Sequence, residues 1–322
     1  MGVDEHWDEI RPRPRKGKKK KQYSSEEERL NAEFIEAEGA KFVKSLETEA
    51  GTFSWMKEKR FSTMFNEIES GIQGVLGKGQ FEWVDRRVFD QVFDRLTLMA
   101  LFKLMKNGVV DTIDYPIARG KEAHVFHGTS IEGEEVAVKI FHTSNAVFKN
   151  LVQYIEGDMR FKNIKKKHRD LVEVWVRKEF RNLTRLHNWG LPVPAPLGVH
   201  KNVLVMEYVG SKEGPSPKLR EVDLESPAEV FSELVEFLAV SWQCSELVHG
   251  DFSPYNILYH HDRPVVIDVG QAVIASHPKA QEFLVRDVKN LVDWAQKMGV
   301  ETDVADCMYD VLNLDVSKYS MK

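Results

Sequence analysis

The segment His249-Gly250-Asp251-Phe252-Ser253-Pro254-Tyr255-Asn256 sets a carboxylate and a carboxamide five residues apart. A second carboxylate follows in Pro264-Val265-Val266-Ile267-Asp268-Val269-Gly270. These residue types suit a hard divalent cation, which takes carboxylate and carbonyl oxygens. Asp268 would give a charged oxygen and Asn256 a neutral one, with phosphate oxygens completing the shell. Asp251 would stay free to orient and deprotonate a nucleophile. Asp and Asn are also common turn residues, so neither motif carries the reading alone.

Upstream residues supply what a phosphate tail would need. Lys139 lies inside the apolar run Val136-Ala137-Val138-Lys139-Ile140-Phe141, and a buried ammonium is costly unless an anion meets it. Snorkelling from an edge strand is the plainer alternative. Glu179 falls four residues after Trp175 and four before Leu183, which places a carboxylate on the apolar stripe of a helix. Lys139 and Glu179 would satisfy one another and aim the ammonium at phosphate oxygens. Gly120-Lys121-Glu122-Ala123, between two strand candidates, reads as a phosphate loop or as a simple hairpin turn. A strand Lys paired with a helix Glu, then Asp251, Asn256 and Asp268 in this order, is the set found in kinase nucleotide sites. Val203-Leu204-Val205-Met206-Glu207-Tyr208-Val209-Gly210 then occupies the hinge position. There the backbone of Glu207 and Val209 would meet an adenine edge, with Met206 bordering the pocket; the alternative is an ordinary core strand.

The elements that must hold these residues can be read from periodicity and punctuation. Residues 1–24 form a basic tail with Arg and Lys clustered between Arg11 and Lys21; such a run buries little apolar surface and is expected to be disordered. It would serve solubility or act as an arm for phosphates such as those of RNA. Its eight basic side chains contribute +8, so all the other charges, the four acids of the tail included, sum to −13 out of a net −5. Residues 25–110 read as mostly helical, from a capping box at Ser25 and Glu28 to a C-cap glycine at Gly108. From Ile113 short Val- and Ile-rich runs suggest strands, with a hairpin turn at Ser130-Ile131-Glu132-Gly133. A helix is expected over 171–187, a second long one capped by Ser226-Pro227-Ala228-Glu229, and a last helical region from about Pro278. Strands first and helices later predict an α+β, two-lobed, protein-kinase-like fold: a small sheet-rich lobe over 111–205, then a hinge and reduced helical lobe over 206–322. The span from Thr143 to Asp170, rich in Lys and Arg, reads as a flexible basic insertion that contacts RNA or accepts phosphate at Thr143 or Ser144; a solvated loop is the plainer alternative.

The composition is that of an ordinary globular chain, at 42% hydrophobic and 30% charged. Two cysteines, Cys244 and Cys307, offer neither a disulfide framework nor a metal pattern and fit a reducing compartment. No apolar run is long enough to span a bilayer and no signal-peptide pattern opens the chain, so no membrane partner is expected. Beyond Gly270 the sequence holds 52 residues without an Ala-Pro-Glu element, too little for a conventional peptide-docking platform.

Taken together, Gly120 to Ala123, WVRKEFRNL at 175–183, LVMEYVG at 204–210, His249 to Asn256 and IDVGQ at 267–271 resemble the RIO family of atypical serine/threonine protein kinases, its first (Rio1-type) subfamily most of all. Ala118-Arg119 replaces a usual Ser-Thr pair, which removes a hydroxyl contact. Gly270 replaces a usual Ser, and Gly250 a common Ala. The resemblance implies a kinase and ATPase that uses ATP with magnesium, or manganese in its place. It implies Asp251 as catalytic base and Asn256 and Asp268 as metal ligands. Gly120, Lys121, Lys139, Glu179, Met206, Glu207 and Val209 would contact or position the nucleotide. Asp268 is also implied as a phosphate acceptor that forms an acyl-phosphate. A cytoplasmic role follows, in late maturation of the small ribosomal subunit (pre-40S or 30S) and on its rRNA. Two rivals stand beside this reading. His249 to Leu258 is also similar to aminoglycoside and choline phosphotransferases, which would phosphorylate a small alcohol. The basic segments would also suit a ribosome-binding scaffold in which ATP is structural.

Overall fold

The computed structural model describes residues 92–143 and 168–321, with Gly71 and Tyr154. The basic tail and most of the helical region expected over 25–110 lie outside the described residues. What is described of that region is helix α1, Arg95–Lys106. The Asp94 carboxylate caps it by accepting from the Thr97 N–H at 2.8 Å, and Lys103 and Lys106 sit in the last turn, where the helix dipole favours cations. Asn107 is the C-cap and Gly108 follows at φ +75°, one step beyond the helix end.

Five antiparallel strands build the first lobe: β1 (Thr112–Arg119), β2 (Ala123–Thr129), β3 (Glu135–Phe141), β4 (Pro196–His200) and β5 (Val203–Glu207), in the order β1-β2-β3-β5-β4. β1 is an edge strand, where Pro116 costs no ladder bond, and its register slips twice against β2. β3 is central, so six of its seven residues are buried and its composition is almost wholly apolar. Helix α2, His168–Asn188, packs across the sheet and carries Val172, Trp175, Val176, Leu183 and Leu186 into the core. The same stripe bears three buried polar groups, Lys178, Glu179 and Asn182, each at most 1% exposed.

After β5 the chain forms a small hairpin, β6 (Gly210–Ser211) with β7 (Gly214–Pro215), and a 3-10 turn at Leu219–Glu221. Helix α3, Pro227–Gln243, starts with proline in its first turn; Ser226 occupies the cap position but makes no side-chain capping bond, contrary to the role expected of it. Pairs β8 (Leu247–Val248) with β11 (Val273–Ile274), and β9 (Ile257–His260) with β10 (Arg263–Val266), carry the chemistry-bearing loops. His261 and Asp262 both have positive φ, as a two-residue hairpin turn between right-twisted strands requires. Helices α4 (Ala280–Lys297) and α5 (Val304–Asn313) complete the lobe. Phe237, Phe252, Leu238 and Leu291 are buried here, each burial stabilising by roughly 1.5–3 kcal/mol. Among the described residues, no helix is long and apolar enough to cross a membrane.

Two details of the 143–170 span differ from a solvated insertion. Tyr154 is buried against Trp175 of α2 (6.4 Å between ring centroids) and Phe283 of α4 (5.3 Å). Tyr154 lies in the apolar stretch Leu151-Val152-Gln153-Tyr154-Ile155 and has found the core, while the basic residues of the span lie outside the described residues. The Thr143 hydroxyl, read as a phosphate acceptor, donates to Asp94 Oδ2 at 2.8 Å and so braces the α1 cap.

Candidate active site

Alternation along β3 turns Lys139 inward at 8% exposure, and the next buried stripe, on α2, presents Glu179. The Lys139 ammonium donates to Glu179 Oε1 at 2.7 Å and to Asp268 Oδ1 at 2.9 Å. Lys139 thus joins the two carboxylates. Attraction from Lys139 holds the Asp268 carboxyl below its ordinary range, although its side chain is half open to solvent. Burial pushes Glu179 up, and Lys139 opposes that shift. The two acids in turn keep Lys139 protonated against its own desolvation.

Asp268 adopts φ 60°, ψ 54°, a left-handed conformation that a non-glycine residue holds only when its surroundings enforce it. The enforcement comes from α2. Lys178 donates to the carbonyls of Gly270 (2.7 Å) and Ala272, and Asn182 to those of Val269 (2.9 Å) and Ala272 (3.0 Å). At Gly270 an added Cβ would stand 3.0 Å from Glu179 Oε2 and 3.1 Å from Trp175 Nε1, so glycine here lets the turn approach the helix closely.

The loop at 249–256 is held from the other side by α4. Asp287 accepts from the N–H groups of Gly250 (2.7 Å) and Phe252 (3.0 Å), Asn290 donates to the Phe252 carbonyl at 3.1 Å, and Arg286 to that of Gly250. Burial lifts the Asp287 carboxyl to about 7. Gly250 has φ +79°, a left-handed conformation that glycine adopts without the strain an alanine would carry. His249 is neutral: its Nδ1 accepts from the Asp251 N–H at 3.3 Å and its Nε2 donates to the Ile267 carbonyl at 3.2 Å, an assignment read from the hydrogen-bond network. Asn256 Nδ2 donates to the Asp251 carbonyl (2.9 Å) and Oδ2 (3.1 Å), which leaves Asn256 Oδ1 as the atom for a ligand. Gln271 Nε2 lies 3.4 Å from the same Asp251 oxygen. Burial raises the Asp251 carboxyl, as a group poised to take a proton requires.

The remaining sequence candidates are spread around this centre. Gly120 closes a tight turn by donating to the Ala123 carbonyl at 2.9 Å, and Lys121 is exposed on it without a hydrogen bond or ion pair among the described residues. Glu122, in the same turn, interacts with Asp268, Glu179 and Asp251, and burial with that repulsion lifts it to about 7. Met206 is half-buried on β5, Glu207 exposed and Val209 buried. The Glu207 N–H donates to the Ala195 carbonyl and the Val209 carbonyl accepts from the Ser216 N–H, so these two of the backbone groups expected to meet an adenine edge are engaged within the fold. Sequence reasoning missed Glu122, Lys178, Asn182, Gln271, Arg286, Asp287 and Asn290. Asp287 was findable by the signal that exposed Glu179, since it sits four residues after Phe283 and four before Leu291 on an apolar stripe.

The comparisons with known proteins follow this geometry. The family model described as "RIO domain" matches residues 124–307. The chain is 40% identical over 229 residues to the RIO-type serine/threonine-protein kinase Rio1 of Haloferax volcanii, covering 71% of this chain and 78% of that one. It is 39% identical to serine/threonine-protein kinase RIO1 of Homo sapiens, with 67% of this chain matched but 39% of the human one, so it spans less than half of that longer relative. Among solved structures, the Rio2 kinase from Chaetomium thermophilum, captured as an ADP/Mg2+-phosphoaspartate complex, aligns with a TM-score of 0.54 at 21% identity over 70% of this chain and 68% of that one. That likeness shows the fold, a protein-kinase-like α+β arrangement. The matched span contains Lys139, Glu179, Asp251, Asn256 and Asp268, and its relatives carry kinase names and not those of small-alcohol phosphotransferases; the chain therefore belongs to the RIO family of atypical serine/threonine protein kinases, on its Rio1-type branch.

Proposed function

We propose that this chain binds ATP with Mg2+ and transfers or hydrolyses the terminal phosphate, with Asp251 as base and with Asn256 and Asp268 as metal ligands. The observation that carries the reading is the convergence of Lys139 on Glu179 and Asp268, beside an Asp251 whose carboxylate is bound by Asn256. The donor set fits magnesium: Asn256 Oδ1 and the Asp268 carboxylate are hard oxygens. Two protein ligands leave most of an octahedron for phosphate oxygens and water, so metal and nucleotide would bind together. When bound, the metal neutralises charge developing on the phosphates.

The chain's own groups do the rest. Lys139 keeps one face on Glu179 and offers its charge to phosphate. Asp251 takes the proton of the attacking hydroxyl or water as the new O–P bond forms; the bond to the β-phosphate oxygen breaks and ADP leaves with its electron pair. In the acyl-phosphate variant, an Asp268 oxygen attacks first and water then releases phosphate, with Asp251 accepting the water's proton. The adenine edge would meet the Glu207 carbonyl and the Val209 N–H, beside Met206, with Gly120 and Lys121 over the phosphates. Manganese would substitute for magnesium on the same oxygens.

The reading extends, on family grounds, to a cytoplasmic role on the maturing small ribosomal subunit, with turnover acting as a release switch. The test uses Asp251→Ala and Asp268→Ala. We expect both variants to stop phosphate release, Asp251→Ala to keep Mg-ATP binding, and both to stay on small-subunit precursors in sedimentation. Release that continues without hydrolysis would make the chain a scaffold with structural ATP.

A further inference from the structure

Lys218 stands beside the cleft, and nothing among the described residues accounts for its charge. The segment that carries it is pinned on both sides of Asn256. Tyr259 N–H donates to the Pro217 carbonyl at 2.9 Å, Lys218 forms an antiparallel bridge with Leu258, and Arg220 N–H reaches the Pro254 carbonyl at 3.4 Å. Residues 217–220 therefore run alongside residues 254–259, and Lys218 is half-buried there. Among the described residues its ammonium has no ion pair; Glu221 bonds only the Lys218 backbone N–H, at 3.4 Å, and pairs with Arg220.

Charge balance gives that ammonium a task. Glu122, Glu179, Asp251 and Asp268 interact with one another in the cleft, and Lys139 is the cation among them. Its hydrogen bonds are already directed to Glu179 and Asp268. Lys178 is spent on the carbonyls of Gly270 and Ala272, and Arg286 on that of Gly250. Phe252, Ser253, Pro254 and Tyr255, between Asp251 and Asn256, bring no positive charge. A triphosphate entering such a cleft meets strong like-charge repulsion, which the metal, Lys139 and Lys121 on the exposed turn would offset in part. The bridge partner of Lys218, Leu258, lies two residues beyond Asn256, which sets the Lys218 backbone next to the loop that carries that proposed metal ligand.

We propose that Lys218 is a further phosphate-binding cation of this site, reaching the terminal phosphate of a nucleoside triphosphate from the β9 side while Lys139 holds the tail from β3. The assignment rests on the nucleotide reading above. It predicts discrimination: a cation on the terminal phosphate strengthens ATP binding and leaves ADP binding untouched.

The experiment measures the Kd of Mg-ATP and of Mg-ADP by calorimetry on the full chain, for the wild type, Lys218→Ala and Lys218→Arg. Lys218→Ala is expected to weaken ATP about tenfold and to change ADP by less than about twofold, and Lys218→Arg to restore most of the ATP affinity. Equal losses for ATP and ADP, or no loss for either, would overturn the proposal. A melting temperature unchanged in Lys218→Ala identifies the loss as one of contact. If Lys218→Ala melts early, the comparison is read from Lys218→Gln, which keeps the stem and removes only the charge. Wild-type chain that binds neither nucleotide would sink the nucleotide reading itself, a result separate from equal affinities in the variant.

Discussion

The Lys139 ammonium sits 2.9 Å from Asp268 Oδ1 while it holds Glu179 at 2.7 Å, so one side chain ties an acid of each lobe together. Removing it strands a buried carboxylate. Lys139→Ala should cost about 3–5 kcal/mol of stability through the uncompensated Glu179 charge. Urea unfolding checks this, and Lys139→Ala with Glu179→Gln should regain a substantial part of the loss. A double variant no more stable than the single one would argue against the pairing.

Asp251 is the proposed base. Asp251→Asn should lower turnover by about 10²–10⁴ while Mg-ATP affinity changes little. Steady-state phosphate release and equilibrium binding separate the two effects. A matching collapse of affinity would reassign Asp251 to nucleotide binding.

Asp287 touches no reacting atom, yet its carboxylate accepts the N–H groups on both sides of Asp251. Asp287→Ala should cost about 1–3 kcal/mol for each N–H left buried without a partner. It should also depress turnover more than ATP affinity, because the base loses its position. Asp287→Asn keeps an acceptor oxygen and should fall between. Equal activity in all three proteins would show the loop to be held without this side chain.

His249 should give the fold an acid-sensitive step. Burial lowers its pKa to about 4 from an ordinary 6.5, so folding favours the neutral ring. The stability this represents is fully present above about pH 6.5 and is lost as pH falls toward 4, amounting to roughly 3 kcal/mol. Denaturation midpoints between pH 7 and pH 4 measure it, and His249→Gln should flatten that part of the curve. An unchanged pH slope in the variant would place the sensitivity elsewhere.

Much of this architecture was legible because opposites stand out. Lys139 in an apolar strand and Glu179 on an apolar stripe are costly alone, and that cost announced a pair before any coordinates. The turn chemistry around Asp251, Asn256 and Asp268 was equally plain, since each motif is local. What could not be read was support that comes from afar. Asp287 lies 37 residues beyond the Gly250 it binds, and Lys178 lies 92 before Gly270. Nothing in local spacing says which backbone carbonyl a buried lysine will meet. Tyr154 was hidden for a related reason: the short apolar stretch Leu151 to Ile155 says nothing of the distant Trp175 and Phe283 that it meets. Lys218 escaped notice because its segment reads as a polar connection, and only the bridge to Leu258 brings it to the cleft.

The bonds from Lys178 and Asn182 to residues 269–272 have a mechanical meaning. Where a kinase can swing its Glu-bearing helix outward, the ion pair becomes a throttle that other proteins can work. Here the helix is riveted to the turn that follows Asp268, so an outward swing would have to drag that turn along or break four hydrogen bonds.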